Sequence, residues 1–188
     1  WVRRWRWRLQ WRRRLGRLVM QFTRLMRHVA APHWRTRLIF PKATLDAIEE
    51  AVARAEKTHD GEICFAIETS LAPVQVWSDV TPRQRALEVF GRLNVWDTEQ
   101  NNGVLIYVQL ADRDVEIVAD RGLKDRVSQA EWEAVCRLME EHFRAGRFQA
   151  GSVAGVDAVG TLLARHYPSD DATVKSTRNQ LPDRPTLL

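Results

Sequence analysis

With 188 residues, 45% of them hydrophobic and 28% charged, the chain has the balance of an ordinary globular protein and the length to bury a core without staples. No run of about 18 apolar residues occurs, which excludes a transmembrane helix, and Arg interrupts every apolar N-terminal stretch, which excludes a secretory signal core. The net charge of +5 is unevenly spread: residues 1–40 hold twelve Arg and no Lys, Asp or Glu, so residues 41–188 carry 17 basic against 24 acidic groups. A basic arm on an acidic domain argues for an interaction segment.

The chain starts at Trp1, and Met20 is its first methionine, so WVRRWRWRLQWRRRLGRLV is expected to be either a native arm or upstream sequence from a misassigned start. Trp11, Leu15, Leu18, Phe22, Leu25 and Val29 recur at three- and four-residue steps, with Arg13, Arg17, Arg24 and Arg27 mostly on other faces. That pattern predicts an amphipathic helix with an arginine-rich polar side. Gly16 costs it about 1 kcal/mol relative to Ala, and Pro32 ends it.

A helix is predicted from Pro41 to Thr58, with Leu45, Ile48, Val52 and Ala55 on one face. Asp60-Gly61 punctuates before the buried strand Glu62–Glu68. Thr81-Pro82 opens a helix through Leu93, and Asn101-Asn102-Gly103 turns the chain into the strand Val104–Leu110. Ala111–Asp114 is too short to join Val104–Leu110 and Val115–Ala119 except as an antiparallel pair. Helices follow over 129–144 and 148–166, and the polar tail from 168 to 188 is expected to lack order. Cys64 and Cys136 sit in apolar segments, as buried free thiols do.

Several ordered motifs in the 41–167 stretch resemble the TPM domain family: Gly61-Glu62-Ile63, then Asn101-Asn102-Gly103, Asp112-Arg113 at the hairpin, Asp120-Arg121-Gly122, and Phe143-Arg144 with Gly146, Phe148 and Gly151. Asn101 stands where that family often has Asp, and Asp120 where it often has Gly. The resemblance implies an α/β domain with a small mixed sheet of three or four strands sandwiched between helices. It also implies membrane-linked or extracytoplasmic roles in many relatives, and phosphatase or divalent-metal activity proposed for some.

A helix between strands 62–68 and 104–110 favours a parallel crossover. Both strands then start at one edge, to which the hairpin returns strand 115–119. Glu62, Asn101, Asn102, Asp120 and Arg121 are therefore expected to gather there, with Asp60 and Asp97 nearby. Carboxylates and amide oxygens suit Ca²⁺ or Mg²⁺, for which Asp97 and Asp120 are the candidate ligands. Arg121 could hold a phosphate oxygen, with Glu62, Asn101 and Asn102 completing the ligand site. The competing reading makes these residues turn and surface devices. Asp112 and Arg113 are expected to shape a turn at the opposite edge. His28, His33, His59, His142 and His166 form no i, i+4 pair and are expected at surfaces or helix ends. No nucleophile elbow, Walker loop or dinucleotide fingerprint occurs.

The leading functional expectation is a non-catalytic or weakly active accessory domain at the cytoplasmic, inner face of a membrane. It would bind an unidentified protein partner and a divalent cation, the arm contacting anionic lipid. The alternative is a metal-assisted phosphatase using the edge cluster. Nucleic-acid binding through the arm ranks last, because an acidic domain repels a polyanion.

Overall fold

The computed structural model describes residues 20–32, 34–169 and 180–188. Residues 20–29 form helix α1, followed by α2 (Trp34–Ile39), α3 (Lys42–Ala55), β1 (Glu62–Glu68), the short α4 (Pro73–Trp77) and α5 (Pro82–Arg92). Then come β2 (Gly103–Gln109), β3 (Asp114–Ala119), α6 (Gln129–Arg144), α7 (Phe148–His166) and β4 (Thr186–Leu187). Predicted helices begin where their caps say: Thr81 accepts from Gln84 N at the start of α5, and Ser128 with Glu131 closes a capping box on α6.

The sheet has strand order β3-β2-β1-β4. Strands β1 and β2 run parallel through the α5 crossover, while β2 and β3 are antiparallel. Every residue of β1 and β2 is buried, which explains their unbroken apolar runs. Alternate residues serve opposite faces. Ile63, Phe65 and Ile67 pack with α3, α6 and α7, whereas Cys64, Ala66, Leu105 and Tyr107 pack with Ala86 and Val89 of α5. Cys64 and Cys136 are both free, and burial pushes both thiols up to about 12.

The expectation of an unordered tail does not hold for residues 180–188. Strand β4 pairs in parallel with β1, Leu181 is buried in the α5-side core, and Arg184 pairs with Asp46 and Glu49 of α3. The added strand covers an edge of β1 that would otherwise stand open. Residues 170–179 and the predicted helix before Met20 lie outside the described residues.

The Asn-Asn-Gly turn divides its work differently from a simple Asn-Gly signal. Asn101 takes the left-handed conformation, at φ +52°. Gly103 is instead required by proximity, because a Cβ there would press on the carbonyl oxygen of Val95. Gly103→Ala is expected to destabilise the domain by about 3 kcal/mol, since the obstacle is backbone rather than a flexible side chain. Urea denaturation measures it, and a loss near zero would contradict this packing.

Candidate functional site

The amino edge of the sheet assembles most of the residues expected there. Glu62 is in register with Gly103, and Val104 with Ala119, so the start of β1, the start of β2 and the end of β3 are neighbours. Asn102 donates its Nδ2 to the carbonyl of Asp60 at 2.8 Å, while its N–H bonds Thr98 Oγ1 at 3.0 Å. Arg121 Nε donates to Asn101 Oδ1 at 2.9 Å, and Gly122 N–H donates to Asn101 O at 2.9 Å. Asp120 caps the 3-10 turn Arg121–Leu123, its Oδ1 accepting from Arg121 N–H at 2.7 Å.

The arrangement is chiefly a hydrogen-bonded closure of the edge. Glu62 is buried at the root of β1, and Asp97 is exposed in the turn after α5, with its backbone N–H on Asn94. The guanidinium of Arg121 occupies the Asn101 oxygen that a cation would need. Among the described residues no three His, Cys, Asp or Glu side chains converge on a point. One donor stays open: Asp120 Oδ2 is buried and has no hydrogen-bond partner. Since Ca²⁺ takes about six to eight oxygens, the fit to a divalent ion is partial.

The carboxyl edge holds more than a turn. Gln109 Oε1 accepts from the N–H groups of Ala111 and Asp112, so Gln109 does the turn-capping work expected of Asp112. The carboxylate of Asp112 instead reaches the arm. Arg24 grips it with Nε at 3.1 Å and Nη2 at 2.7 Å, and Nη2 also donates to Val80 O. One turn along α1, His28 Nε2 lies 3.1 Å from Oδ1, the oxygen that also accepts from Arg24 Nε, while Nδ1 accepts from Leu71 N–H at 2.9 Å. That acceptor role places the ring proton on Nε2, facing Asp112. Burial resists the charge on Asp112, but the hydrogen bonds from Arg24 and the neighbouring His28 hold its carboxyl below the usual range.

The arm is thus latched to the domain by its polar side. His28, expected at a surface, is buried, as is His59. The opposite side of the segment faces outward: Phe22, Met26 and Val29 of α1 and Trp34 and Leu38 of α2 are exposed, from 43% at Met26 to 70% at Leu38, and Met20 is exposed at the start of α1. No helix among the described residues is long and apolar enough to cross a membrane.

Beside the latch, Arg27 and Arg35 face Gln109, Arg113 and Asp114 across a cavity of about 600 Å³. Burial, then the charges of Glu116, Glu140 and Asp112, push the Asp114 carboxyl up from 3.8 to about 6. A carboxyl raised in the folded state is charged at a cost at neutral pH, and the cost disappears as pH falls through about 6 toward 4. Asp114→Asn is therefore expected to stabilise the protein by about 1 kcal/mol at pH 7, after allowance for solvent screening of a half-buried group. The gain should vanish at pH 4 in paired denaturation curves; an equal gain at both values would contradict the assignment.

A mixed four-stranded sheet, with a parallel crossover, a hairpin and helices on both faces, defines a small α/β sandwich. The model of the TPM domain family matches residues 37–162. The NMR structure of BA42 protein from the psychrophilic bacterium Bizionia argentinensis is 30% identical, covering 78% of this chain and 93% of that one with a TM-score of 0.66. The N-terminal domain of a P. gingivalis protein, also solved by NMR, is 21% identical over 65% of this chain and 74% of that one, with a TM-score of 0.52, a likeness of fold alone. Comparison with curated proteins returns no match. The chain belongs to the TPM domain family.

Sequence reasoning missed the carboxyl-edge group. Two of its signals were in view, but Asp112-Arg113 read as a turn and Phe143-Arg144 only as a motif of the family resemblance. Only the fold brings them to Arg24, Arg27, His28 and Arg35.

Proposed function

We propose that this TPM domain is a non-catalytic accessory module held at an anionic membrane surface by α1 and α2. The observation that carries the reading is the orientation of that segment. Arg24 and His28 bind it to Asp112, which leaves Phe22, Met26, Trp34 and Leu38 pointing away from the domain. Exposed Arg27, Arg35 and Arg37 flank these apolar residues, and no acidic residue occurs in the first forty. Apolar residues rimmed by arginine match the interface of an anionic bilayer, where each basic residue near the surface contributes about 1 kcal/mol. The inner leaflet supplies that charge, which favours the cytoplasmic side. An acidic nucleic acid would gain from the arginines but has less use for the apolar face.

Co-sedimentation of the full chain with phosphatidylglycerol-containing vesicles at low salt tests this directly. Binding should be strong there, weaker at high salt, and weakest with pure phosphatidylcholine. Equal recovery with both lipids, or none with either, would sink it.

One observation favours a second reading, cation binding that could support phosphate-ester hydrolysis: the open Oδ2 of Asp120. Turnover of a generic phosphate ester that collapses with chelator and in Asp120→Ala would support it. Background rates in all three conditions would remove it.

A further inference from the structure

The cavity at the carboxyl edge shares Arg27 and Arg35 with the membrane reading, but adds groups that neither that reading nor the amino edge uses. Arg27 and Arg35 enter it from the arm, Arg113 from the hairpin and Arg144 from the end of α6, against the carboxylates of Asp114 and Glu140. Glu140 already accepts from Arg144 at 3.0 Å. Among the described residues, Arg27, Arg35 and Arg113 make no ion pair. Three uncommitted guanidiniums around one cavity repel one another until an anion joins them, and their planar donors suit phosphate.

A second, independent feature points the same way. Gln109, fully buried at the end of β2, lines this cavity. Its Oε1 accepts from Ala111 N–H at 2.8 Å and Asp112 N–H at 3.2 Å, which identifies the oxygen end chemically. Its Nε2 is therefore a donor, and it is buried with no hydrogen-bond partner. An orphan buried donor is costly unless something else in the site accepts from it. The place is also apt, because open α/β sheets take ligands outside the carboxyl ends of parallel strands, here β1 and β2. Ile39, Phe143 and Phe148 give the cavity an apolar side, and its volume of about 600 Å³ holds more than a bare inorganic ion.

We infer that this cavity binds a phosphate monoester with an apolar or aromatic body, the phosphate meeting Gln109 Nε2 and the arginines. Either a soluble phosphate ester or the headgroup of a phosphatidic-acid-like lipid has that chemistry. Binding in solution does not depend on the membrane reading, so the two fail separately.

The test is titration of the full chain with phenylphosphonate, a non-hydrolysable probe, followed by calorimetry and amide NMR shifts. Saturable binding is expected, with shifts centred on the hairpin and the start of α7. Arg35→Gln and Arg113→Gly should each weaken it about tenfold; glycine suits the φ of +58° at Arg113, so that variant keeps its backbone. Gln109→Glu retains an acceptor for the hairpin N–H groups but replaces the donor with a repelling oxygen, and should abolish binding while the remaining spectrum shows the native fold. Inorganic phosphate should bind more weakly, for lack of the apolar side. Displacement of the chain from phosphatidic-acid vesicles by the probe would support a headgroup ligand, and undiminished vesicle binding with the cavity saturated would support a soluble ester. No saturable binding at millimolar probe, or affinity unchanged in all three variants, overturns the inference.

Discussion

Arg85→Ala is expected to lower the unfolding free energy by about 3 kcal/mol, because it strands a carboxylate at the sheet-helix boundary. Glu68 closes β1 with its side chain 6% exposed, and Arg85 on α5 meets both of its oxygens, through Nε at 2.9 Å and Nη2 at 2.8 Å. Tyr107, on the neighbouring strand, donates its hydroxyl to Glu68 Oε2. Burial, then the charge of Glu68, hold the Tyr107 phenol far above its ordinary range, so it stays a neutral donor throughout the accessible pH range. Removing Arg85 leaves the carboxylate with only the phenol and little water. The partner control is informative: Glu68→Met with Arg85→Met keeps the volume, removes both charges, and should restore much of the loss. Urea denaturation of the three proteins separates the cases. A loss below about 1 kcal/mol in Arg85→Ala would mean the pair behaves as a solvated surface bridge.

The second large effect concerns the outward face of the arm. Replacing Phe22, Met26, Trp34 and Leu38 together by serine should reduce binding to anionic vesicles by about a hundredfold. Full burial of one such side chain contributes about 1.5–3 kcal/mol. These four are already partly covered, at 60%, 43%, 64% and 70% exposed, so about 1 kcal/mol apiece is reasonable. Their sum of roughly 3 kcal/mol, allowing for one imperfect insertion, corresponds to about two decades in the partition constant. Folding stability should not fall, because the removed groups face away from the core. Lower stability with unchanged partitioning would place these residues in the domain's own packing.

The strands, the crossover and the gathering of Glu62, Asn101, Asn102, Asp120 and Arg121 at one edge were legible in the sequence. Each rests on local signals: continuous apolar runs, Asn-Asn-Gly, and a connection too short for anything but a hairpin. Strand β4 was not legible, because two paired residues just after Pro185 carry no period for a pattern to detect. The docking of the arm was hidden for a different reason. Periodicity reveals that a helix has two faces, but not which one meets the protein. Here, Arg24 and His28 find a buried carboxylate 84 or more residues away in sequence, and that single partner decides the orientation. The carboxyl-edge cavity is further still from view, since the arm, the hairpin and the junction of α6 and α7 each supply only part of it.

The methionines allow the most direct measurement. The chain has three, of which Met26 lies on the outward face of α1, Met20 is exposed at its start, and Met139 is fully buried. With carbon-13 methyl labels and nanodiscs containing an anionic lipid and a nitroxide-bearing lipid, surface docking through α1 and α2 should broaden the Met20 and Met26 methyl signals and leave Met139 sharp. If the bound chain keeps Met20 and Met26 as sharp as Met139, the apolar face of the arm does not meet the bilayer.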